Sequence, residues 1–246
     1  MPPVDVDINN PPPVKYSGWP SGCSPESPLR RTTFDIDVPP PPPPNKTFIY
    51  DHLKAMDPCY HPSLLHHHGQ FVSHHEGPIP RQIMIPQFSH CSTAMHHDIA
   101  LALNWVDDDS DDQELNFHDR PEERLSWRGT TTGIWHAEDT RWRSSQRIRL
   151  VKWAHEQNGT AAVLGAPATR DERVGAGRAV ARARLNPAML DVAFAGKPHS
   201  CVDAVCEVMA REFEFRDYQS VEAVRKYKYV LDVSTPPSAL LLSFLC

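Results

Sequence analysis

Histidine side chains are the most concentrated metal-binding groups of this sequence. Ten of the 14 histidines fall between Thr47 and Asn104, namely His52, His61, His66, His67, His68, His74, His75, His90, His96 and His97. Neighbouring side chains in the run at 66–68 diverge on a helix, and no H-E-x-x-H or H-x-x-E-H spacing accompanies them. The pattern therefore favours polar, hydrogen-bonded surface histidines, with a structural zinc or copper site as the alternative.

A second group with metal-binding chemistry is the acidic run at 107–112, Asp-Asp-Asp-Ser-Asp-Asp. It contains the D-x-D spacing that can hold a nucleotide diphosphate through a divalent cation. Any run of acids matches that spacing, so a solvated, self-repelling loop is the favoured interpretation. We expect no metal in the site of this protein.

The elements that could position a site begin with residues 124–129, Arg-Leu-Ser-Trp-Arg-Gly, which predict a short strand ending at glycine. The sequence Thr-Thr-Thr-Gly at 130–133 predicts a turn after that strand. A helix is predicted over about 141–157, because apolar residues recur there with a spacing of three. These apolar positions are Ile148, Val151 and Ala154.

A second helix is predicted to start with the capping pattern at 200–203, Ser-Cys-Val-Asp, and to direct Val205, Met209 and Phe213 inward. Residues 226–233 then alternate with a period of two, which predicts a strand. One face of this strand would carry Tyr227, Tyr229, Leu231 and Val233. The order strand, helix, helix, strand predicts an α/β, Rossmann-like layer.

Composition excludes several classes of function. The chain has 246 residues, of which 40% are hydrophobic, enough for one sizeable core or two small ones. A net charge of −6 gives no electrostatic footprint for nucleic acid or an anionic membrane, so small molecules or proteins are the expected partners. No stretch approaches the roughly 20 apolar residues of a transmembrane helix, and the first residues lack the features of a signal peptide.

The six cysteines fit neither a C-x-x-C redox motif nor a zinc-ribbon spacing, and two or three disulfides are compatible with them. Two N-x-Thr triplets, at Asn45 and Asn158, could accept glycans. Disulfides and glycans both belong to an oxidising secretory lumen, which is the compartment that these features favour.

Residues 1–48 form a proline-rich segment that ends in six consecutive prolines at 39–44. Proline removes amide donors and enforces polyproline geometry, so this segment is predicted to be irregular. A surface loop or linker is favoured over an SH3-type ligand, since no basic residue flanks the prolines as such ligands require.

Four groups of short sequence motifs follow one another along the chain. They are Met-Asp-Pro-Cys at 56–59 with His-Gly-Gln-Phe at 68–71, Pro-Gln-Phe-Ser at 86–89 with His-His-Asp-Ile at 96–99, Trp-Arg-Gly-Thr-Thr-Thr-Gly at 127–133, and Lys-Tyr-Lys-Tyr-Val-Leu-Asp-Val at 226–233. Together they resemble the fungal capsule-associated (CAP-type) glycosyltransferases of glycosyltransferase family ninety, which are relatives of the animal protein O-glucosyltransferases.

The resemblance implies a two-lobed, Rossmann-like fold of the GT-B type, with a sugar nucleotide in the cleft. It implies that residues 49–118 form part of an acceptor-side lobe and that residues 119–246 form an incomplete sugar-nucleotide lobe. The implied reaction transfers glucose or xylose, with inversion, from UDP-glucose or UDP-xylose to a hydroxyl of a glycan or protein. The donor is a substrate, no further cofactor is implied, and the compartment is the lumen of the endoplasmic reticulum or Golgi.

Matched by position, the resemblance implies that Thr130 and Arg147 contact the donor nucleotide and that Arg128 and Gly129 shape the same turn. The implied location suits the chemistry, because a strand-to-helix turn presents free amides to an anion and a nearby arginine supplies a fixed charge. The alternative for Arg147 is one cation among several on an exposed helix face. On the acceptor side the resemblance points to His97, Asp98 and Trp105, for which packing between loops is the alternative.

Two departures from the family pattern affect the expected activity. The family's catalytic aspartate precedes a proline, and the nearest counterpart here places Asn10 at that position, where an amide cannot act as a base. Asp7 could serve only if the loop is shifted. No arginine follows Asp232, although the family holds the diphosphate there with a glycine-rich turn, a serine and an arginine. We therefore expect a truncated member with little or no transferase activity, or a non-catalytic binding module.

Overall fold

The computed structural model describes residues 18–31, 38, 51–67, 71–72, 86, 88–89, 99–100, 115–165, 168–170, 175 and 177–233. The chain divides into two compact units. The first comprises Met1–Trp105 with Thr235–Cys246, and the second comprises Val106–Ser234.

The described part of the first unit is organised around a disulfide between Cys23 and Cys59, whose Cα atoms are 5.5 Å apart. The amide of Leu29 donates a hydrogen bond to the carbonyl of Cys59 at 3.1 Å. Trp19 packs on Phe71 with ring centroids 4.6 Å apart, and both side chains are buried. The described elements of this unit are a 3₁₀ helix Trp19–Gly22 and helices α1 Pro28–Arg31, α2 His52–Ala55 and α3 Leu64–His67. Strands β1 Phe88–Ser89 and β2 Ile99–Ala100 pair in parallel.

The histidines of α3 do not all follow the expectation of surface positions. His66 is only 3% exposed, beside the buried Leu65 in the same short helix. The described apolar core of this unit is small, comprising Trp19, Cys23, Leu29, Cys59, Leu65 and Phe71, and such a core buries polar side chains together with apolar ones. The prediction of a surface position is therefore wrong for His66.

The second unit contains a parallel sheet of four strands, which confirms the predicted α/β class. Its strands are β3 Glu122–Gly129, β6 Leu190–Ala195, β7 Phe215–Arg216 and β8 Tyr227–Val230, in the order β7-β6-β3-β8. The intervening β4 Thr160–Leu164 and β5 Gly177–Ala181 form a separate antiparallel pair. The helices are α4 Gln146–His155, α5 Arg182–Met189, α6 Asp203–Glu212 and α7 Val221–Arg225, and a 3₁₀ helix Trp142–Ser144 precedes α4.

The core of this unit surrounds Phe194, near the end of β6, whose side chain is fully buried. Its ring contacts the rings of Trp127, Phe213 and Phe215 at centroid distances of 6.0, 5.8 and 5.3 Å. Helix α4 packs against β6 and contributes the buried Ile148, Val151 and Ala154, as their spacing predicted. The apolar face of the sheet and the inner face of α4 therefore form one core.

Asn186 in α5 connects that helix to the end of α4. Its side chain is 3% exposed, and its amide nitrogen donates to the carbonyls of Trp153 and Glu156 at 2.9 Å each. The last carbonyls of a helix have no intrahelical partner, so Asn186 supplies a C-terminal cap from a distant part of the chain. The β4–β5 pair lies in sequence between the end of α4 and Asn186.

Two local predictions differ from the structure, and one strand was missed. Val202, not Ser200, is the N-cap residue of α6, because Ser200 has a φ of 59° in the left-handed region, where it cannot cap the helix. In β8 the register to β3 shifts between its first and second pairs, so Tyr227 is buried whereas Tyr229 is 51% exposed. Strand β6, which lies between β3 and β7, was not predicted at all.

Across the described ranges, no helix combines the length and the apolar composition that crossing a membrane requires.

Candidate functional site

Three neighbouring parallel strands end at one edge of the sheet, and the segments that follow them meet there. Strand β3 leads into the turn at 130–133, β6 into a loop at 196–202, and β8 into residues 231–233. The chain leaves β3 towards β6 on one side and later returns to β8 on the other side, so the direction of winding reverses between β3 and β8. Ligands of open α/β sheets bind at such a carboxyl edge, beside the reversal point.

Arg147, in the first turn of α4, joins the segments on either side of this reversal point. Its Nη1 donates to the carbonyls of Thr130 and Thr132 at 3.1 and 2.9 Å and to Thr132 Oγ1 at 2.9 Å. Its Nη2 lies 3.4 Å from the carbonyl oxygen of Val233. The side chain is 3% exposed, so Arg147 does not belong to an exposed basic face. The guanidinium instead fixes the 130–133 turn to the segment that follows β8.

Burial lowers the pKa of Arg147 to about 10, against an opposing effect of the nearby Asp232 carboxylate. The side chain therefore remains a cation at neutral pH, although water is largely excluded from it. Burial likewise raises the pKa of Asp232, and the attraction to Arg147 opposes that rise. The edge of the sheet thus contains a fixed positive charge inside the protein, where it is screened less than it would be in water.

The hydroxyl groups of the turn form a short chain from this cation towards the surface. Thr132 Oγ1 accepts from Arg147 and lies 2.8 Å from Thr130 Oγ1. A hydroxyl that accepts from a cation becomes a better donor, which favours donation from Thr132 to Thr130. This arrangement leaves the Thr130 hydroxyl able to donate its own proton outward, and both threonines are partly exposed.

The loop at 196–202 supports the turn from the side of β6. Thr131 Oγ1 donates to the carbonyl of His199 at 2.7 Å and accepts from its amide at 2.9 Å. The amide of His136 donates to the Ser200 carbonyl at 2.9 Å, and the ring nitrogen Nδ1 of His136 lies 3.0 Å from the same oxygen. A carbonyl can only accept, so Nδ1 carries the proton, and burial lowers the pKa of this ring below its ordinary value.

A cavity of about 10 Å³ lies beneath the turn, between Thr131, His136, Ser145 and Phe194. This is about the volume that one water molecule requires, so no nucleotide fits inside it. A ligand of this edge would therefore contact the outer side of the turn, where Gly133 is exposed.

Arg128 points away from the turn, into a buried ionic cluster on the sheet. Its Nη2 donates to Asp191 Oδ1 at 2.6 Å, and Arg216 Nη1 donates to the same oxygen at 2.6 Å. Tyr227 donates its hydroxyl proton to Asp191 Oδ2. Burial would raise the pKa of Asp191, but the hydrogen bonds from Tyr227 and Arg128 outweigh it and hold the pKa below its ordinary value. Arg128 therefore ties β3 to β6 and is not among the groups at the turn.

Two glycines give the turn its shape. A Cβ atom on Gly129 would lie 2.4 Å from Cζ2 of the Trp127 ring, so no side chain fits at this position without movement of the core tryptophan. Gly133 has a φ of 98°, a conformation that L side chains rarely adopt. The close approach at Gly129 and the backbone at Gly133 together fix the path from β3 to α4.

We expect Gly129→Ala to lower the free energy of unfolding by about 1–3 kcal/mol, because the added methyl overpacks the core against Trp127. Gly177→Ala is the matched control, since a Cβ there would lie 3.5 Å from Leu164 Cδ2, an ordinary contact. That variant should stay within about 0.5 kcal/mol of the parent. Urea denaturation followed by tryptophan fluorescence measures both, and equal midpoints for the two variants would contradict the overpacking.

The structure thus brings together Gly129, Thr130 and Arg147 among the predicted donor residues and separates Arg128 from them. Asn10, Asp7, His97, Asp98, Trp105 and the acidic run at 107–112 lie outside the described residues. In the described part of the chain no group of three or more His, Cys, Asp or Glu side chains could hold a metal ion.

Sequence reasoning missed Thr131, His136 and the 196–202 loop as parts of the site. The sequence indicates a role for Thr131 only through its place in the Thr-Thr-Thr-Gly motif at 130–133. His136 is fixed by residues more than sixty positions further along the chain, and no periodicity reveals such a contact.

Comparisons with protein-family models, with curated proteins and with solved structures returned no match. The geometry of the carboxyl edge is therefore the basis for a functional proposal.

Proposed function

We propose that the second unit binds the diphosphate of a UDP-sugar at the carboxyl edge of its sheet, as the Rossmann-like donor lobe of a two-lobed, CAP-type O-glycosyltransferase. The observation that carries the proposal is the buried Arg147, which joins the turn after β3 to the segment after β8 at the reversal point. The donors proposed are UDP-glucose and UDP-xylose, and the acceptor is a hydroxyl of a glycan or protein.

Three features of the edge suit a diphosphate. The first turn of α4 presents backbone N–H groups that have no intrahelical partner, and the helix dipole adds positive potential there. Arg147 also lies in the first turn of α4, so its charge adds to the positive potential of that helix end. The Thr130 hydroxyl can donate to a ligand when it accepts from Thr132, which in turn accepts from Arg147. The partly exposed Thr130 hydroxyl would contact the ligand, and the buried Arg147 charge would act on it from inside the turn.

In an inverting transfer these groups would stabilise the departing UDP, while a base removes the proton of the attacking acceptor hydroxyl. The resemblance assigns the base to the position of Asn10, and an amide cannot remove that proton. Loss of a general base lowers the rate by roughly 10²–10⁴-fold. A chain that binds UDP without turnover would act as a binding module, which is the second candidate function.

Binding of UDP to the full chain, measured by isothermal titration calorimetry, tests the proposal. We expect a dissociation constant in the range of about 1 μM–1 mM that is usual for enzyme substrates, and at least about tenfold weaker binding of uridine. Thr130→Ala should weaken UDP about tenfold or more, because a hydrogen bond to a charged oxygen is lost. Thr130→Ser keeps the hydroxyl and is the matched control. Equal affinity for UDP and uridine, or no binding of either, would reject the proposal.

Turnover separates the two candidate functions. UDP release in the presence of UDP-glucose or UDP-xylose and a panel of acceptors would identify a transferase. UDP binding with no release above the hydrolytic background would identify a binding module.

We also expect UDP binding to be independent of metal, because the arginine and the helix terminus supply the positive charge that a cation provides in other enzymes. The affinity for UDP in EDTA and in manganese should agree within about twofold. Manganese-dependent binding that disappears in EDTA would show that this edge does not neutralise the diphosphate by itself.

The proposed compartment is the lumen of the secretory pathway. Both disulfides among the described residues, Cys23–Cys59 and Cys201–Cys206, fit an oxidising compartment.

A further inference from the structure

We propose that the Cys201–Cys206 disulfide is a redox-sensitive latch on the 130–133 turn, and that a dithiol which opens it loosens the 196–202 loop and weakens binding at the turn. The effect on ligand affinity rests on the proposed function. The effect on the loop and turn rests on the structure alone.

The disulfide acts locally. It joins the residue before the N-cap of α6 to the first turn of that helix, with a sequence separation of 5 and a Cα–Cα distance of 5.5 Å. The stabilisation that a disulfide gives by restricting the unfolded chain grows with the length of the closed loop. A bridge this short restricts little chain, so its main consequence is the shape of the loop that enters α6.

That loop has a conformation which needs support. Ser200, directly before Cys201, has a φ of 59°, in the left-handed region that non-glycine residues rarely occupy. Gly196 begins the loop with a φ of 74°. Unfavourable backbone conformations persist only where the surrounding structure enforces them, and the disulfide is the covalent part of that structure here.

The loop is connected to the turn through sheltered hydrogen bonds. Thr131 exchanges two bonds with the backbone of His199. The amide of His136 donates to the Ser200 carbonyl, and the Val202 amide donates back to the His136 carbonyl at 3.0 Å. Thr131 and His136 are 2% and 1% exposed. Because water cannot readily replace these bonds, a displacement of the loop disturbs the turn.

The two disulfides among the described residues differ in accessibility. Cys201 and Cys206 are partly exposed, whereas Cys23 and Cys59 are buried in the first unit. Attack by a thiolate depends on access to the sulfur, so the Cys201–Cys206 bond is the one that a dithiol reaches first.

The reaction is an exchange of two thiols for one disulfide. One thiolate of the dithiol attacks a sulfur of the bridge, and the other cysteine leaves as a thiolate that takes up a proton. The second thiol of the reagent, as its thiolate, then attacks the reagent sulfur of the mixed disulfide and displaces the remaining cysteine as a thiolate, which also takes up a proton. The products are the free thiols of Cys201 and Cys206 and the cyclic disulfide of the reagent, so two electrons and two protons pass to the protein.

Hydrogen exchange resolved by peptide, measured on the full chain before and after mild treatment with dithiothreitol, tests the latch. Mass spectrometry of alkylated peptides identifies which bond has opened. We expect Cys201–Cys206 to open first and the amides of His136, His199 and Val202 to exchange about tenfold faster, while the amides shared by β3 and β6 are unchanged. The dissociation constant for UDP should rise about tenfold in the same sample.

The double variant Cys201→Ser with Cys206→Ser should reproduce these changes without reductant, and Cys23→Ser with Cys59→Ser should leave the exchange of the turn unchanged. If the first variant does not fold, the reduced wild-type chain still decides the outcome. Earlier opening of Cys23–Cys59, or unchanged exchange at His136 and Val202 in a sample with free Cys201 and Cys206, would overturn the latch. Faster exchange in a chain whose oxidised form does not bind UDP would support the latch and reject the proposed function.

Discussion

Replacing Asp191 by alanine is expected to lower the free energy of unfolding by about 3–5 kcal/mol, the usual cost of removing one partner from a buried ion pair. The Asp191 side chain is 6% exposed and that of Arg128 is 10% exposed. Without the carboxylate, Arg128 and the Tyr227 hydroxyl would remain buried beside an empty space. Chemical denaturation of the purified chain measures the loss.

Glu212→Ala is the matched control for this prediction. Glu212 pairs with Arg143 at the surface, where the two side chains are 42% and 55% exposed. Exposed pairs contribute only about 0–1 kcal/mol, so this variant should unfold close to the parent. A similar loss in both variants would show that the Asp191 cluster contributes no more than a surface pair.

The Asp191 cluster also predicts a pH dependence. The pKa of Asp191 in the folded chain lies below its ordinary value of 3.8, because the hydrogen bonds from Tyr227 and Arg128 outweigh the effect of burial. A carboxyl group with a lowered pKa stabilises the fold above its unfolded pKa, and the contribution disappears as the pH falls through the folded pKa. The stability of the parent should therefore fall below about pH 4 more steeply than that of Asp191→Asn.

Arg147→Met is expected to lower the free energy of unfolding by about 2–4 kcal/mol, because it leaves the carbonyls of Thr130 and Thr132 without their donor in a buried site. Removing a buried cation recovers part of this loss, since the charge no longer has to be kept from water. UDP binding should weaken by at least about tenfold, because both the charge and the shape of the turn change.

Arg149→Met is the control for Arg147→Met, since it makes the same substitution two residues further along α4 at an exposed position. It should change stability by no more than about 0.5 kcal/mol. Arg147→Lys should fall between the two, because an ammonium keeps the charge but lacks the planar fork that reaches carbonyls on both sides of the reversal point. Equal stability of the Arg147 and Arg149 variants would contradict the bridging role.

The elements with clear local patterns were predictable from sequence. The predicted strand at 124–129 lies within β3, and the helix predicted at 141–157 contains α4 together with the 3₁₀ helix before it. In both cases the apolar spacing and the flanking glycine or turn residues agree with the final environment. Local preference and tertiary packing favour the same structure there, so the sequence alone sufficed.

Strand β6 was missed because Asp191 interrupts a short apolar run, and a short run alone does not distinguish a buried strand from part of a helix. The residues that make this aspartate tolerable, Arg128, Arg216 and Tyr227, are far away in sequence. The capping pattern at 200–203 failed for a related reason. Contacts of Ser200 with His136 and the adjacent disulfide fix a backbone conformation that the local sequence does not favour.

The sequence predicted the region of the site but not the contacts within it. Strand, turn and helix place Thr130 and Arg147 near one another, as the resemblance also implied. Which of the arginines of α4 is buried depends on where the segment after β8 lies, and Val233 is 86 residues beyond Arg147. The apolar spacing of the helix does not distinguish Arg147 from Arg149, whereas the fold buries the first and exposes the second.

Asn186 joins α5 to the end of α4, so the β4–β5 pair is an insertion between two helices that contact each other. The contacts of Asn186 with Trp153 and Glu156 fix both ends of this insertion. The parallel sheet therefore does not depend on the length of the segment between them. Exposed insertions of this kind tolerate changes in length better than the elements that they connect. The connection between β4 and β5 is therefore a position where a reporter peptide could be inserted with the turn, the reversal point and Arg147 left intact.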